Sequence, residues 1–200
     1  MKAALTVSAL ALSVGVAHAD GLAPPITPTV IPAAPVAAPT WSGFYAGGYL
    51  GMSNGNMFDI GGPYVLNNNA NHFSGLVGYR YDMGDYVVGG EFSTSASVNM
   101  FQAAFPTWAF NRVSDARVTV GRDLGRSLVY VAAGYTNTGF SVGPTNYIYD
   151  GWNAGIGIDT MVTDNMFVGA EYVWRSVSRT DLRAWTADFG TIQLRAGFRF

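Results

Sequence analysis

The 200-residue chain has no cysteine, and Lys2 is its only lysine. The first absence excludes a disulfide framework and all thiolate chemistry. The second makes arginine the only strong cation in the body of the chain. Charged residues are 12% of the sequence, roughly half the usual share in soluble domains. A formal charge of −2 provides no basic surface, which argues against nucleic acid as a partner. Helical periodicity is also missing beyond the first segment, because no later stretch repeats its apolar positions every 3.6 residues. Glycine (25 residues) and aromatic side chains (14%) are what the chain has in plenty.

The first segment reads as a cleaved signal peptide. Lys2 supplies the positive end, Ala3 to Val16 the apolar run, and Ala17-His18-Ala19 the small-x-small cleavage pattern, with the cut between Ala19 and Asp20. The apolar run is shorter than the about 20 residues a spanning helix needs. Residues 20–40 then hold six of the nine prolines, too many for a helix or a sheet interior. They are expected to form an extended periplasmic linker, roughly 60 Å long if straight.

From Trp41 onward the sequence alternates with a period of two. Eight strands are expected, at Ser42–Met52, Phe73–Met83, Tyr86–Val98, Arg112–Leu124, Leu128–Gly139, Tyr149–Met161, Asn165–Ser176 and Gly190–Phe200. Their connections alternate as well. Gly84-Asp85, Gly125-Arg126-Ser127 and Val162-Thr163-Asp164 are tight turns, whereas Ser53–His72, Asn99–Asn111, Phe140–Ile148 and Val177–Phe189 read as long polar loops. Short turns on one side and long loops on the other are the pattern of outer-membrane barrels. The fold class follows: all-β, a closed antiparallel eight-stranded transmembrane β-barrel over 41–200. It has a polar interior, short periplasmic turns and longer extracellular loops.

A soluble barrel would bury the apolar face instead. Against that reading, the apolar face carries Tyr79, Tyr81, Trp152, Tyr172, Trp174 and Phe198, too bulky for the lumen of eight strands. The opposite face is poor in charge for a surface meeting water. With the apolar face outward, parity turns Arg80, Arg117, Arg175, Arg195 and Arg199 inward, together with Glu91, Asp115, Asp123, Asp159 and Glu171. Unpaired charges in such a lumen would cost several kcal/mol each, so an internal network of ion pairs is expected.

Three stretches carry a family resemblance. Trp41-Ser42-Gly43-Phe44-Tyr45-Ala46-Gly47-Gly48, Val87-Val88-Gly89-Gly90-Glu91 and Arg195-Ala196-Gly197-Phe198-Arg199-Phe200 resemble the small outer-membrane immunogenic proteins. These are opacity-like barrels of alpha-proteobacterial type, related in architecture to the OmpA transmembrane domain. The resemblance covers residues 41–200. It implies an integral outer-membrane protein surrounded by lipid and lipopolysaccharide, with a structural and surface-presenting role in the envelope. It also implies that the barrel assembly machinery reads the final strand, with Phe198 and Phe200 as the signal. Some relatives bind haem or act in adhesion, roles that no residue here matches.

Other chemistry finds little support. His72 and Ser74 share a face, as in lipid A deacylase barrels, but no carboxylate stands at a spacing to orient the histidine. His72 is expected at a loop edge. One histidine after processing and no cysteine leave no ordinary zinc set, and Asp59, Asp150, Asp181 and Asp188 lack calcium-loop spacing. No cofactor and no catalytic residue are expected. Loop aromatics Phe101, Phe105, Trp108 and Trp185 are expected to pack on one another or on the rim. The alternatives to a structural role are a small pore or uptake channel, and a binder of a host or extracellular ligand through the loops.

Overall fold

The computed structural model describes residues 40–59, 62–65, 70–98, 100–102, 105–179, 181 and 185–200. The expected signal peptide, with Ala19 and Asp20, and all but the last residue of the linker lie outside them. Ten strands run in chain order: β1 (Gly43–Asp59), β2 (Gly62–Val65), β3 (Ala70–Asp82), β4 (Tyr86–Val98), β5 (Met100–Gln102), β6 (Phe105–Asp123), β7 (Ser127–Val142), β8 (Thr145–Met161), β9 (Met166–Arg179) and β10 (Thr186–Arg199). All pairings are antiparallel. Neighbours follow the order β10-β9-β8-β7-β6-β4-β3-β1, and β10 returns to β1 with Tyr45 opposite Arg199 and Leu50 opposite Leu194. Eight strands therefore close into a barrel. The short β2 and β5 are accessories paired with β1 and β6.

The outward face is as expected. Phe44, Leu50, Phe73, Val77, Val118, Val131, Trp152, Ile156 and Leu194 are all exposed, in an apolar belt. At the opposite end from the turns, however, the strands run further than the sequence reading placed them. β6 begins at Phe105, not near Arg112, and β1 continues to Asp59. The connection expected as the long loop Phe140–Ile148 is a hairpin, in which β7 and β8 stay paired up to Val142 opposite Thr145. The reason is an inversion of pattern. In these extensions Asn54, Asn56, Asn111, Asn137, Ser141 and Asn146 point outward, while Met57, Phe110, Val113, Phe140, Tyr149, Val177, Ala187 and Phe189 pack inside. A strand surrounded by hydrocarbon shows apolar residues outward, and one surrounded by water shows them inward. Read under one rule, the water-exposed part looks like loop.

The lumen is filled in layers. At the turn end Trp41, Tyr45, Tyr49, Leu76, Val87, Leu128, Tyr130, Met161 and Phe167 form one buried cluster, and the loop-end cluster caps the other side. Bulky aromatics thus occupy the interior too, contrary to the expectation of a polar lumen with no room for them. Glycine makes the space. Tyr45, Tyr130 and Phe167 each lie on their direct cross-strand partner, Gly78, Gly157 and Gly197. A Cβ at those glycines would meet the overlying ring at 2.4, 2.6 and 2.4 Å, so no larger residue fits without moving the ring.

Candidate functional site

Between the two apolar clusters lies the charged centre of the barrel. Alternation along β3, β4, β6, β8, β9 and β10 aims Arg80, Glu91, Asp115, Arg117, Asp159, Glu171, Arg175 and Arg195 at the axis, and all eight are buried. Four cations meet four anions. Glu91 is the hub. It accepts from Arg117 Nη2 at 2.5 Å, from the Tyr45 hydroxyl at 2.8 Å, and from Arg195 Nη2. Glu171 binds the same two arginines, accepting from Arg117 Nη1 at 2.7 Å and Nη2 at 2.8 Å and from Arg195 Nη1 at 2.9 Å, and takes a fourth bond from Gln193 Nε2 at 2.7 Å. Arg80 pairs with Asp159 at 2.5 Å, and Arg195 Nε stands 3.3 Å from the other oxygen of that carboxylate. One guanidinium therefore joins three carboxylates donated by three different strands.

A second cluster sits nearer the loop end. Arg175 Nη2 donates to Asp115 at 2.6 Å and Nη1 to Thr191 Oγ1 at 2.7 Å. Thr136 also donates to Asp115 at 2.7 Å, and Asn153 to Thr136 at 2.9 Å. Burying a charge costs several kcal/mol unless it is paired and hydrogen-bonded. Here every buried ion has a counter-ion, and bidentate forks do much of the pairing. Arg80 has aromatic walls besides: its guanidinium carbon lies 5.5 Å from the Trp41 ring centre, 4.7 Å from Tyr45, 5.5 Å from Tyr130 and 5.2 Å from Phe167. Such contacts add roughly 0.5–2 kcal/mol each where water is excluded.

Two expected members of the network are elsewhere. Asp123 sits at the last residue of β6, where its carboxylate accepts from Gly125 N at 2.6 Å and caps the turn. Arg199 reaches the turn-end rim, donating to Ser42 O at 2.9 Å and Asp164 O at 2.7 Å. Parity gave both the right face but not the depth, and at the strand ends the inward face is already the rim. His72 is another correction. It lies within the wall of β3, buried, with its ring edge-on to Tyr49 at 5.8 Å. Ser74, buried beside it, also faces the lumen. Sequence reasoning missed the aromatic cage of Arg80, although Phe167 shares parity with the inward Glu171 and Arg175 on its own strand. Trp185 packs on the loop-end cluster, and Arg179 lies over the Tyr147 ring at 4.0 Å while pairing with Asp181 at 2.5 Å. The side chains of Phe101, Phe105 and Trp108 lie outside the described set. Among the described residues no group of three histidine, aspartate or glutamate side chains could hold a metal ion.

A closed, internally paired barrel with an apolar belt agrees with what known proteins show. The family model for the outer membrane protein beta-barrel domain matches residues 27–200. The chain belongs to this family. Two solved structures share the family barrel. Neisserial surface protein A (NspA) superposes with a TM-score of 0.51 at 15% identity, over 80% of this chain and 98% of that one. Ail, the attachment invasion locus protein of Yersinia pestis, gives 0.50 at 18% identity, over 80% and 99%. At these identities the likeness shows the fold. No curated protein matches the sequence. The protein is an outer-membrane β-barrel.

Proposed function

We propose that this outer-membrane barrel is a sealed anchor with a structural and surface-presenting role, neither a catalyst nor a channel. The filled lumen carries the reading. Two aromatic layers enclose eight mutually paired ions, and a path for a solute would require breaking pairs that hold together β3, β4, β6, β8, β9 and β10. The excess strand length supports the second half. Hydrocarbon needs about 9–11 residues of tilted strand, whereas β6 has 19 and β1 and β8 have 17 each. The surplus forms a rigid pedestal with a soluble-type core, on which the loops stand.

In this reading the belt is in contact with outer-membrane lipid, with lipopolysaccharide on the loop side. A signal peptide cut between Ala19 and Asp20 delivers the chain, and the assembly machinery recognises Phe198 and Phe200. His72 and Ser74, both turned to the lumen, do not meet lipid acyl chains. Planar-bilayer recordings on the purified mature protein test the proposal. No steady unit conductance is expected. A reproducible channel would overturn the sealed reading in favour of a small pore or uptake channel.

A further inference from the structure

Thr40, Trp41 and Ser42 precede β1 and cross the turn end of the barrel, where each of the three short turns is tied to them. At the β3–β4 turn, the Asp82 carboxylate accepts from Trp41 N at 3.1 Å and from the Thr40 hydroxyl at 3.2 Å, and Asp82 N donates to Ser42 Oγ at 2.9 Å. At the β6–β7 turn, the Trp41 indole Nε1 donates to Gly125 O at 3.2 Å. The β8–β9 turn is reached through the closing strand, since Arg199 bonds both Ser42 O and Asp164 O, and Asn165 Nδ2 donates to Arg199 O at 3.1 Å. Trp41 is 1% exposed and packs against Phe167 at 6.4 Å, next to the caged Arg80.

These bonds join residues that are 41, 84 and 157 positions apart. The first needs the β3–β4 hairpin beside β1, and the second needs the β6–β7 hairpin across the mouth. The third needs the seam between β1 and β10 to be shut. An open, partly formed sheet cannot hold all three at once. Interactions made only in the finished structure stabilise it relative to the folding transition state, so their loss raises the unfolding rate and leaves the folding rate alone.

We propose that residues 40–42 are a strap that locks the closed barrel at its turn end and sets the rate at which it opens. The strap acts as one unit, because Trp41 fixes the segment against two turns while Arg199 fixes the same segment to the third turn and to the seam.

The test uses the full mature chain folded into dilauroylphosphatidylcholine vesicles, with folding and unfolding in urea followed by the gel mobility of unheated samples. Trp41→Ala and Arg199→Met are each expected to unfold at least tenfold faster at a given urea concentration, with folding rates within twofold of the parent. The double variant is expected to unfold no faster than about the faster single variant, although the two side chains hold different turns. Asp82→Asn keeps the side-chain size and is expected to accelerate unfolding several-fold, so the proposal stays testable if Trp41→Ala does not fold. Folding slowed as much as unfolding is accelerated would place these contacts in the folding nucleus and overturn the proposal. Unchanged unfolding, or single effects that multiply in the double variant, would overturn it as well.

Discussion

Glu91 shows at the scale of a residue how the lumen is held. Its two oxygens take bonds from Arg117, Arg195 and Tyr45, so its loss leaves the buried centre one carboxylate short of its four guanidinium groups, with Arg117 and Arg195 sharing Glu171. Removing one partner of a buried pair costs about 3–5 kcal/mol. Glu91→Ala is therefore expected to lower the stability of the vesicle-embedded barrel by about that amount, read from equilibrium urea unfolding. A change below about 1 kcal/mol, the usual value of an exposed pair, would mean that the network is hydrated. Glu91 as an inward acid was legible from parity alone. Which arginines it meets was not, because Arg117 and Arg195 come from β6 and β10 and their convergence depends on barrel closure. The same holds for Tyr45, Tyr130 and Phe167. A sequence shows a glycine and an aromatic residue, but only the register places Gly78, Gly157 and Gly197 beneath those rings.

At the scale of an element, β10 carries the closure. It pairs with β9 along one side and β1 along the other, and its inward residues Gln193 and Arg195 enter the charged centre. Phe200 follows it as an exposed ring, edge-on to Phe198 at 5.3 Å, and its N–H donates to Phe44 O at 2.9 Å. Burial of one such side chain is worth about 1.5–3 kcal/mol. Deleting Phe200 is expected to reduce the amount of protein in the outer membrane well beyond what that loss explains, if it is the proposed assembly signal. Immunoblots of fractionated cells provide the measurement. Normal outer-membrane levels would refute the signal role. The strand itself was evident from its alternation, as were the inward parts of β3, β4 and β9. The loop-side ends of β1, β6, β7 and β8 were hidden, because beyond the bilayer the polar and apolar faces exchange roles.

For the whole molecule, closure leaves no free sheet edge in the belt, so opening the barrel exposes backbone groups to hydrocarbon at several kcal/mol apiece. Unheated samples in detergent are expected to migrate differently from boiled ones on gels, and identical mobility would contradict a closed barrel of this stability. The sequence by itself determined the number of barrel-wall strands, which face meets lipid, the tight turns, and most of the inward charges. Each of these depends on neighbours along the chain or on a period of two. Only the tertiary structure decided that four arginines and four acids form a balanced core while Asp123 and Arg199 serve the rim. It also decided that Arg80 is walled by four rings, and that Thr40 to Ser42 bind two turns directly and reach the third through Arg199. Those arrangements join residues dozens to more than a hundred positions apart, and only strand tilt and register in the closed barrel bring them to the same depth.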